Sequence, residues 1–192
     1  MDEGKQFEFQ VIAGKLKGRK IVAPDLGITR PPLSRLRKSI FDYLAPYLLD
    51  AAYLDLFSGT GSYLFEATSR GVVEAVGVEL EPKLVESING QAADFRVADR
   101  LNCLCEDVFE VLPKLHEQKK RFDIIMVAPP QYKKIIDRTL GLLERNPILA
   151  VDGQIICQHD TSETAIINWG RWLVRQQRKY GNTTYTILGW PE

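Results

Sequence analysis

Three acidic residues, Asp55, Glu79 and Asp107, each follow a short apolar run, and the first stands just ahead of a glycine-rich turn. The stretch Leu54-Asp55-Leu56-Phe57-Ser58-Gly59-Thr60-Gly61 reads as a buried strand that passes through the acid into the turn, with a helix beyond it. Gly59 and Gly61 let the backbone turn sharply and approach a ligand closely. At the carboxyl end of the first strand of an open α/β sheet, such a turn cradles a nucleotide or cofactor. The dinucleotide fingerprint needs Gly or Ala at position 64, where this chain has Leu64, and no G-x-x-x-x-G-K-[ST] loop occurs. An acid four residues before the first glycine suits a ligand with a positively charged amino-acid head group, and S-adenosylmethionine is such a ligand.

The next acids extend this pattern. Glu74 to Leu80 is a short apolar run that ends in Glu79, 18 residues after Gly61, where a carboxylate can take both hydroxyls of a ribose. Its competing role is to cap the helix entered at Pro82. Asp107, after Leu101–Cys105, has two compatible roles, beside an adenine or as a helix N-cap. A fourth apolar run, Phe122–Val127, enters Ala128-Pro129-Pro130-Gln131-Tyr132. Two adjacent prolines there fix an extended, rigid turn at the edge of the sheet.

The elements that must position these residues alternate strand and helix after residue 50. Strands are expected near 52–56, 74–79, 101–105, 122–127, 154–158, 171–177 and 183–188, and helices near 62–70, 82–96, 107–116, 132–145 and 162–168. This order implies right-handed crossovers and a mostly parallel α/β sheet of Rossmann-like class. The last two strands are separated by little more than Tyr180-Gly181-Asn182, which predicts an antiparallel hairpin at the edge. Before residue 50, Phe7–Ala13 and Lys20–Ala23 predict a hairpin whose loop carries Lys15, Lys17 and Arg19 into solvent. Pro31-Pro32 then breaks the chain, and a helix is expected from Ser34 to about Leu48, with Leu36, Ile40, Phe41, Leu44, Tyr47 and Leu48 on one face. Residues 1–50 thus read as a docking extension, and residues 51–192 as the catalytic domain.

Composition narrows the class. The chain has 192 residues, 45% apolar and 26% charged, as in an ordinary globular protein. No apolar run of about 18 residues exists to span a bilayer. The amino terminus resembles neither a secretory signal nor a transit peptide, so a cytoplasmic location is expected. Three cysteines, Cys103, Cys105 and Cys157, are expected as packing residues. Two histidines and no C-x-x-C or H-E-x-x-H pattern argue against zinc and against any metal site. The net charge of zero is unevenly spread. Lys15 to Lys38 holds eight basic residues against Asp25 alone, and Arg171, Arg175, Arg178 and Lys179 form a second acid-free cluster. Such segregation suits either an anionic partner such as nucleic acid or a merely solvated face.

The chain resembles the RsmD family, bacterial methyltransferases of the exocyclic N2 of a guanine in small-subunit ribosomal RNA. The resemblance spans roughly residues 9 to 188. It rests on Val11-Ile12-Ala13-Gly14-Lys15-Leu16-Lys17-Gly18-Arg19, on Thr29-Arg30-Pro31 with Arg35, Arg37 and Phe41, on Asp55–Gly61, Ser69-Arg70-Gly71, Pro129-Pro130 and Tyr180-Gly181-Asn182-Thr183. It implies an S-adenosyl-L-methionine site formed by Thr29, Arg30, Asp55, Phe57, Ser58, Gly59, Gly61, Glu79, Leu80, Asp107 and Val108. It implies RNA contacts from Lys15, Lys17, Arg19, Arg35, Arg37 and Lys38, and a catalytic turn at Ala128, Pro129, Pro130, Gln131 and Tyr132. The partner is then small-subunit rRNA or its assembling particle, met by a monomer.

The sequence departs from the family at that turn. Methyltransferases of exocyclic amines carry Asp/Asn-Pro-Pro-Tyr/Phe there; this chain has Ala128 for the acid or amide and Gln131 for the aromatic, with Tyr132 one place later. The carbonyl of Pro129 is retained as an acceptor. An active enzyme and a cofactor- and RNA-binding assembly factor with weakened turnover both fit these residues. Gln158 stands where relatives favour Glu, and Tyr63 where they favour small residues. His159 is expected to be structural.

Overall fold

The structure is a computed structural model that describes residues 5–27, 34–130 and 134–191. The chain opens with β1 (Gln6–Gln10) and β2 (Lys20–Pro24), an antiparallel pair of their own. Then follow α1 (Ser34–Leu48), β3 (Ala52–Asp55), α2 (Ser62–Ser69), β4 (Glu74–Glu79), α3 (Pro82–Asp94), β5 (Leu101–Cys105), α4 (Val108–Glu117), β6 (Phe122–Val127) and α5 (Ile135–Arg145). The chain closes with β7 (Leu149–Asp160), β8 (Leu173–Tyr180) and β9 (Thr183–Gly189).

Seven strands form one sheet in the order β5-β4-β3-β6-β7-β9-β8. β3 through β7 are mutually parallel, and β9 is antiparallel to β7 and β8. The expected Rossmann-like sheet with a carboxy-terminal antiparallel hairpin is present. From β3 the chain moves outward to β4 and β5, then returns to place β6 on the other side. The switch point therefore lies between β3 and β6, where open α/β sheets bind ligands.

Strand residues alternate between two cores, because successive side chains leave opposite faces. Tyr53, Ile124 and Ile187 pack with Phe41 and Leu44 of α1, Phe65 of α2 and Ile88 of α3. Leu54, Ile125 and Leu188 pack with Leu112 of α4 and Leu140 of α5. α1 buries Leu36, Ile40, Phe41, Leu44 and Leu48 as expected, while Tyr47 is 49% exposed.

Three boundaries differ from the pattern-based expectation. Residues 162–168 form no helix beyond a single 3-10 turn, Thr161–Glu163, closed by a capping box between Asp160 and Glu163. The segment is too short to offset helix nucleation, and Ile166 remains exposed. β7 begins at Leu149, because Phe122 pairs with Leu149 before an irregularity in register, and Asp152-Gly153 sits within the strand. α5 begins at Ile135, preceded by Lys134 at φ 50.

Candidate active site

The glycine turn sits at the end of β3, and β4 beside it and β5 beyond β4 bring Glu79 and Asp107 to the same edge. Gly61 has φ 77, and a Cβ there would lie 2.8 Å from Ile88, so both conformation and space demand glycine. Gly59 also has positive φ, and its N–H donates to Glu79 Oε2 at 2.8 Å. Oε1 of Glu79 accepts from the N–H groups of Leu80 and Glu81 at 2.8 and 3.0 Å. The capping alternative for Glu79 is excluded, because Glu81 is the N-cap of α3 and accepts from Lys83 N. Asp107 caps α4 by accepting from Phe109 N at 2.7 Å, and Val108 opens that helix. Leu80 beside them is 67% exposed, Phe57 is partly buried, and Ser58 Oγ donates to the Asp55 carbonyl at 3.2 Å.

Asp55 differs from the other two acids. It is fully buried; Oδ1 accepts one long bond from Phe57 N at 3.3 Å, and Oδ2 has no partner among the described residues. Burial pushes its carboxyl up to about 7, the Phe57 N–H opposes this, and Glu79 adds to it. A buried oxygen left without a donor costs free energy unless something completes it. A cationic ammonium would satisfy that oxygen, so the residues present fit the head group of S-adenosylmethionine.

β6 lies beside β3, with Asp55 opposite Met126 and Leu56 N donating to Met126 O at 3.0 Å. Two residues further on, Ala128, Pro129 and Pro130 leave the sheet next to the glycine turn. Ala128 packs its methyl against the core, and Pro129 is partly buried. A small cleft beside this turn is lined by Pro129, Pro130, Gln158 and Ile167. Gln131 and Tyr132, like Thr29 and Arg30, lie outside the described residues.

Two departures from the family pattern prove to be one feature. The Tyr63 hydroxyl on α2 donates to the Gln158 amide oxygen at the end of β7, so the larger residue at 63 meets the altered residue at 158. Neither position predicts the other by sequence spacing. His159 is buried within β7, with Nδ1 at 2.8 Å from Asp160 O and Nε2 at 2.9 Å from Thr186 Oγ1. Burial pulls its pKa down, which fits the structural role expected of it. Cys103 and Cys157 pack inside the protein, but Cys105 is exposed, a correction to its expected packing role.

The amino-terminal motif docks on α2. Glu66, fully buried, accepts from Ile12 N at 2.9 Å and Ala13 N at 3.2 Å and pairs with Arg70 at 2.8 Å. Ser69 Oγ accepts from Leu16 N, and Ser69 O accepts from Lys15 N at 2.7 Å. Gly14 is obligatory there, since a Cβ would lie 2.0 Å from Ser69 O. This turn leaves Lys15, Lys17 and Arg19 exposed, as expected. Arg35 and Lys38 are also exposed, with Lys38 paired to Asp42 at 2.5 Å.

Arg37 must be removed from the RNA-facing set. It is 3% exposed, donates through Nη2 to Gln10 O at 2.6 Å, stacks over Phe9 at 5.1 Å, and lies 3.9 Å from Glu66. It ties the hairpin to α1 and α2, a role that the count of basic residues could not separate from a surface one. Glu66 is the residue that the sequence reading missed. Its signal was an acid within the otherwise apolar run Leu64-Phe65-Glu66-Ala67.

Comparison with known proteins agrees with this geometry. The family model described as conserved hypothetical protein 95 matches residues 9–189. Ribosomal RNA small subunit methyltransferase D of Escherichia coli K12 is 26% identical over 180 residues, covering 94% of this chain and 89% of its own. The solved Escherichia coli protein yhhF superposes with a TM-score of 0.85 at 24% identity, covering 97% of this chain and 100% of its own. An RNA methyltransferase of Salinibacter ruber, solved with S-adenosyl-L-homocysteine, shares the fold at a TM-score of 0.65 and 18% identity, covering 85% of this chain and 95% of its own. The chain belongs to the conserved hypothetical protein 95 family, the RsmD-like methyltransferases.

Proposed function

We propose that this protein is an S-adenosylmethionine-dependent methyltransferase that modifies the exocyclic N2 of a guanine in small-subunit ribosomal RNA. The observation that carries the reading is the buried Asp55 oxygen, unpartnered among the described residues, at the β3–β6 switch point, with the Pro129-Pro130 turn beside it. Family membership supports the chemistry, and the relative from Escherichia coli supports the substrate class.

In this reading Asp55 holds the ammonium of the cofactor, Glu79 the ribose hydroxyls, and Asp107 with Leu80 and Val108 the adenine. Glu79 spends Oε2 on Gly59 and Oε1 on two backbone N–H groups, which fixes the carboxylate before any ligand arrives. When bound, S-adenosylmethionine supplies an electrophilic methyl group on its sulfonium. The Pro129 carbonyl accepts a hydrogen bond from the guanine amine and so directs the nitrogen lone pair. A methylated amine would be acidic and would lose its proton to water, so the chain needs no strong base beside Pro129. Ala128 contributes no acceptor, and Gln131 or Tyr132 supplies the second contact to the base. Lys15, Lys17, Arg19, Arg35 and Lys38 hold RNA phosphates, and Thr29 with Arg30 borders the cofactor.

The test is transfer of a labelled methyl group to unmodified small subunits and to protein-free rRNA, followed by nucleoside analysis. N2-methylguanosine is the expected product. The second reading, a cofactor- and RNA-binding assembly factor, is favoured by the missing side-chain acceptor at Ala128. It predicts S-adenosylhomocysteine binding with no incorporation into either substrate.

A further inference from the structure

We propose that the seam between α1 and β8 is a second RNA-contact surface, which holds phosphates and unstacked bases of the strand flanking the target nucleotide. The proposal rests on the rRNA reading above and adds a surface that lies apart from the amino-terminal hairpin.

Arg35, Ser39, Tyr43 and Tyr47 recur every four residues along α1 and so share one stripe of the helix. That stripe faces the far edge of the sheet. The Ser39 hydroxyl hydrogen-bonds that of Tyr180 in β8 and lies 3.3 Å from that of Tyr185 in β9, while Tyr43 donates to Gln154 Oε1 at 2.7 Å. Across the seam, Arg178 stands opposite Tyr185 in the strand register. Arg175 lies over Gly189, where a Cβ would come within 2.2 Å of its Nε. Both guanidinium groups bear electrostatically on the Tyr43 hydroxyl.

The chemistry along this seam is that of a nucleic-acid surface. Residues 171–182 contain no acid. Among the described residues neither Arg175 nor Arg178 has an ion pair, and the Arg178 guanidinium faces the neutral Gln176 amide. The Tyr43 and Tyr47 rings lie 6.0 Å apart, and Tyr47 is half exposed. Cations interleaved with accessible aromatic rings suit phosphates and base faces together. Cations on an edge strand also deter pairing with other strands, but that role requires neither an exposed tyrosine nor a matching stripe on a helix. The eight residues of β8 span roughly 27 Å, enough for several nucleotides. β8 runs parallel to β7, so its Tyr180 end reaches the sheet edge that carries the candidate active site.

The experiment measures binding of the full chain to protein-free small-subunit rRNA across a salt series. Arg175→Gln with Arg178→Gln removes two charges but keeps polar side chains on the edge. The expected result is a log–log salt slope shallower by about 1.4, from two phosphate contacts at about 0.7 each. Arg175→Lys with Arg178→Lys should retain the wild-type slope. Tyr47→Ala should weaken binding severalfold at every salt concentration without changing the slope. A double Gln variant with the wild-type slope, together with unchanged S-adenosylhomocysteine affinity and melting temperature, overturns the seam as an RNA surface. Wild-type protein with no RNA binding at all overturns the rRNA reading instead, so the two failures are distinguishable.

Discussion

Asp55 concentrates the chemistry of the site in one oxygen. Its carboxyl is raised to about 7, so between the ordinary carboxylate range and pH 7 the folded protein retains a proton that the unfolded chain releases. Stability of the free protein should therefore fall as pH rises through that window, by up to the order of 4 kcal/mol. Asp55→Asn should remove this dependence, so its stability advantage over wild type should be larger at pH 8 than at pH 5; melting curves at both values check it. Affinity for S-adenosylhomocysteine should run the other way in wild type, rising with pH to about 7 and then levelling, since the ammonium needs the ionised carboxylate. A flat calorimetric profile from pH 5.5 to 8.5 would sink that role for Asp55. At Ala128 the missing acceptor is worth roughly 0.5–1.5 kcal/mol if neutral, more if charged. Ala128→Asp combined with Gln131→Tyr should then raise kcat by about tenfold with little change in KM. Single-turnover methylation measures it, and an unchanged rate would show that other groups already hold the base.

The amino-terminal hairpin is held to the sheet by a buried charge cluster on α2. Glu66 satisfies Ile12 N, Ala13 N and Arg70, and it balances the neighbouring Arg37. Glu66→Gln leaves that arginine buried without its counter-charge, at a cost of roughly 3–5 kcal/mol. We expect a lower melting temperature, faster amide exchange at Ile12, Ala13 and Leu16, and weaker RNA binding. Cofactor affinity should change less, because the Glu79 and Asp55 contacts lie on other elements. Exchange protection equal to wild type across residues 11–16 would contradict this account. The same cluster explains why the motif from Val11 to Arg19 is so specific: its glycines and small residues permit the close approach to Ser69, while its lysines point outward.

For the whole molecule, zero net charge conceals a polarised surface. Exposed Lys15, Lys17, Arg19 and Arg35 gather on the hairpin and α1, and the arginines of β8 add a second line. RNA affinity should fall steeply with salt, with a log–log slope of roughly −3 or steeper. Binding of zwitterionic S-adenosylhomocysteine should scarcely respond. Comparing the two titrations on one preparation checks this, and parallel salt dependence would mean that the basic residues serve the cofactor pocket instead. Among the described residues no helix is long and apolar enough to cross a membrane, which agrees with the absence of a long apolar run.

The elements that carry the candidate site were legible because their signals are local. Apolar runs ending in Asp55, Glu79 and before Asp107, the glycine turn, and the strand–helix alternation follow from periodicity and from turns that only glycine allows. They determine which strands are parallel and which edge bears the ligand. The sequence did not reveal pairings between residues far apart in the chain. Tyr63 meets Gln158 only because α2 packs beside the end of β7, and Arg37 is internal only because β1, α1 and α2 converge on Glu66. Charge by itself cannot tell a buried counter-ion from a surface contact, since burial is a property of packing. Likewise the stripe from Arg35 to Tyr47 becomes a surface with β8 only when the sheet sets its last strand beside α1. Residue types and local spacing determined the chemistry available; tertiary packing decided which of those groups meet, and which reach solvent.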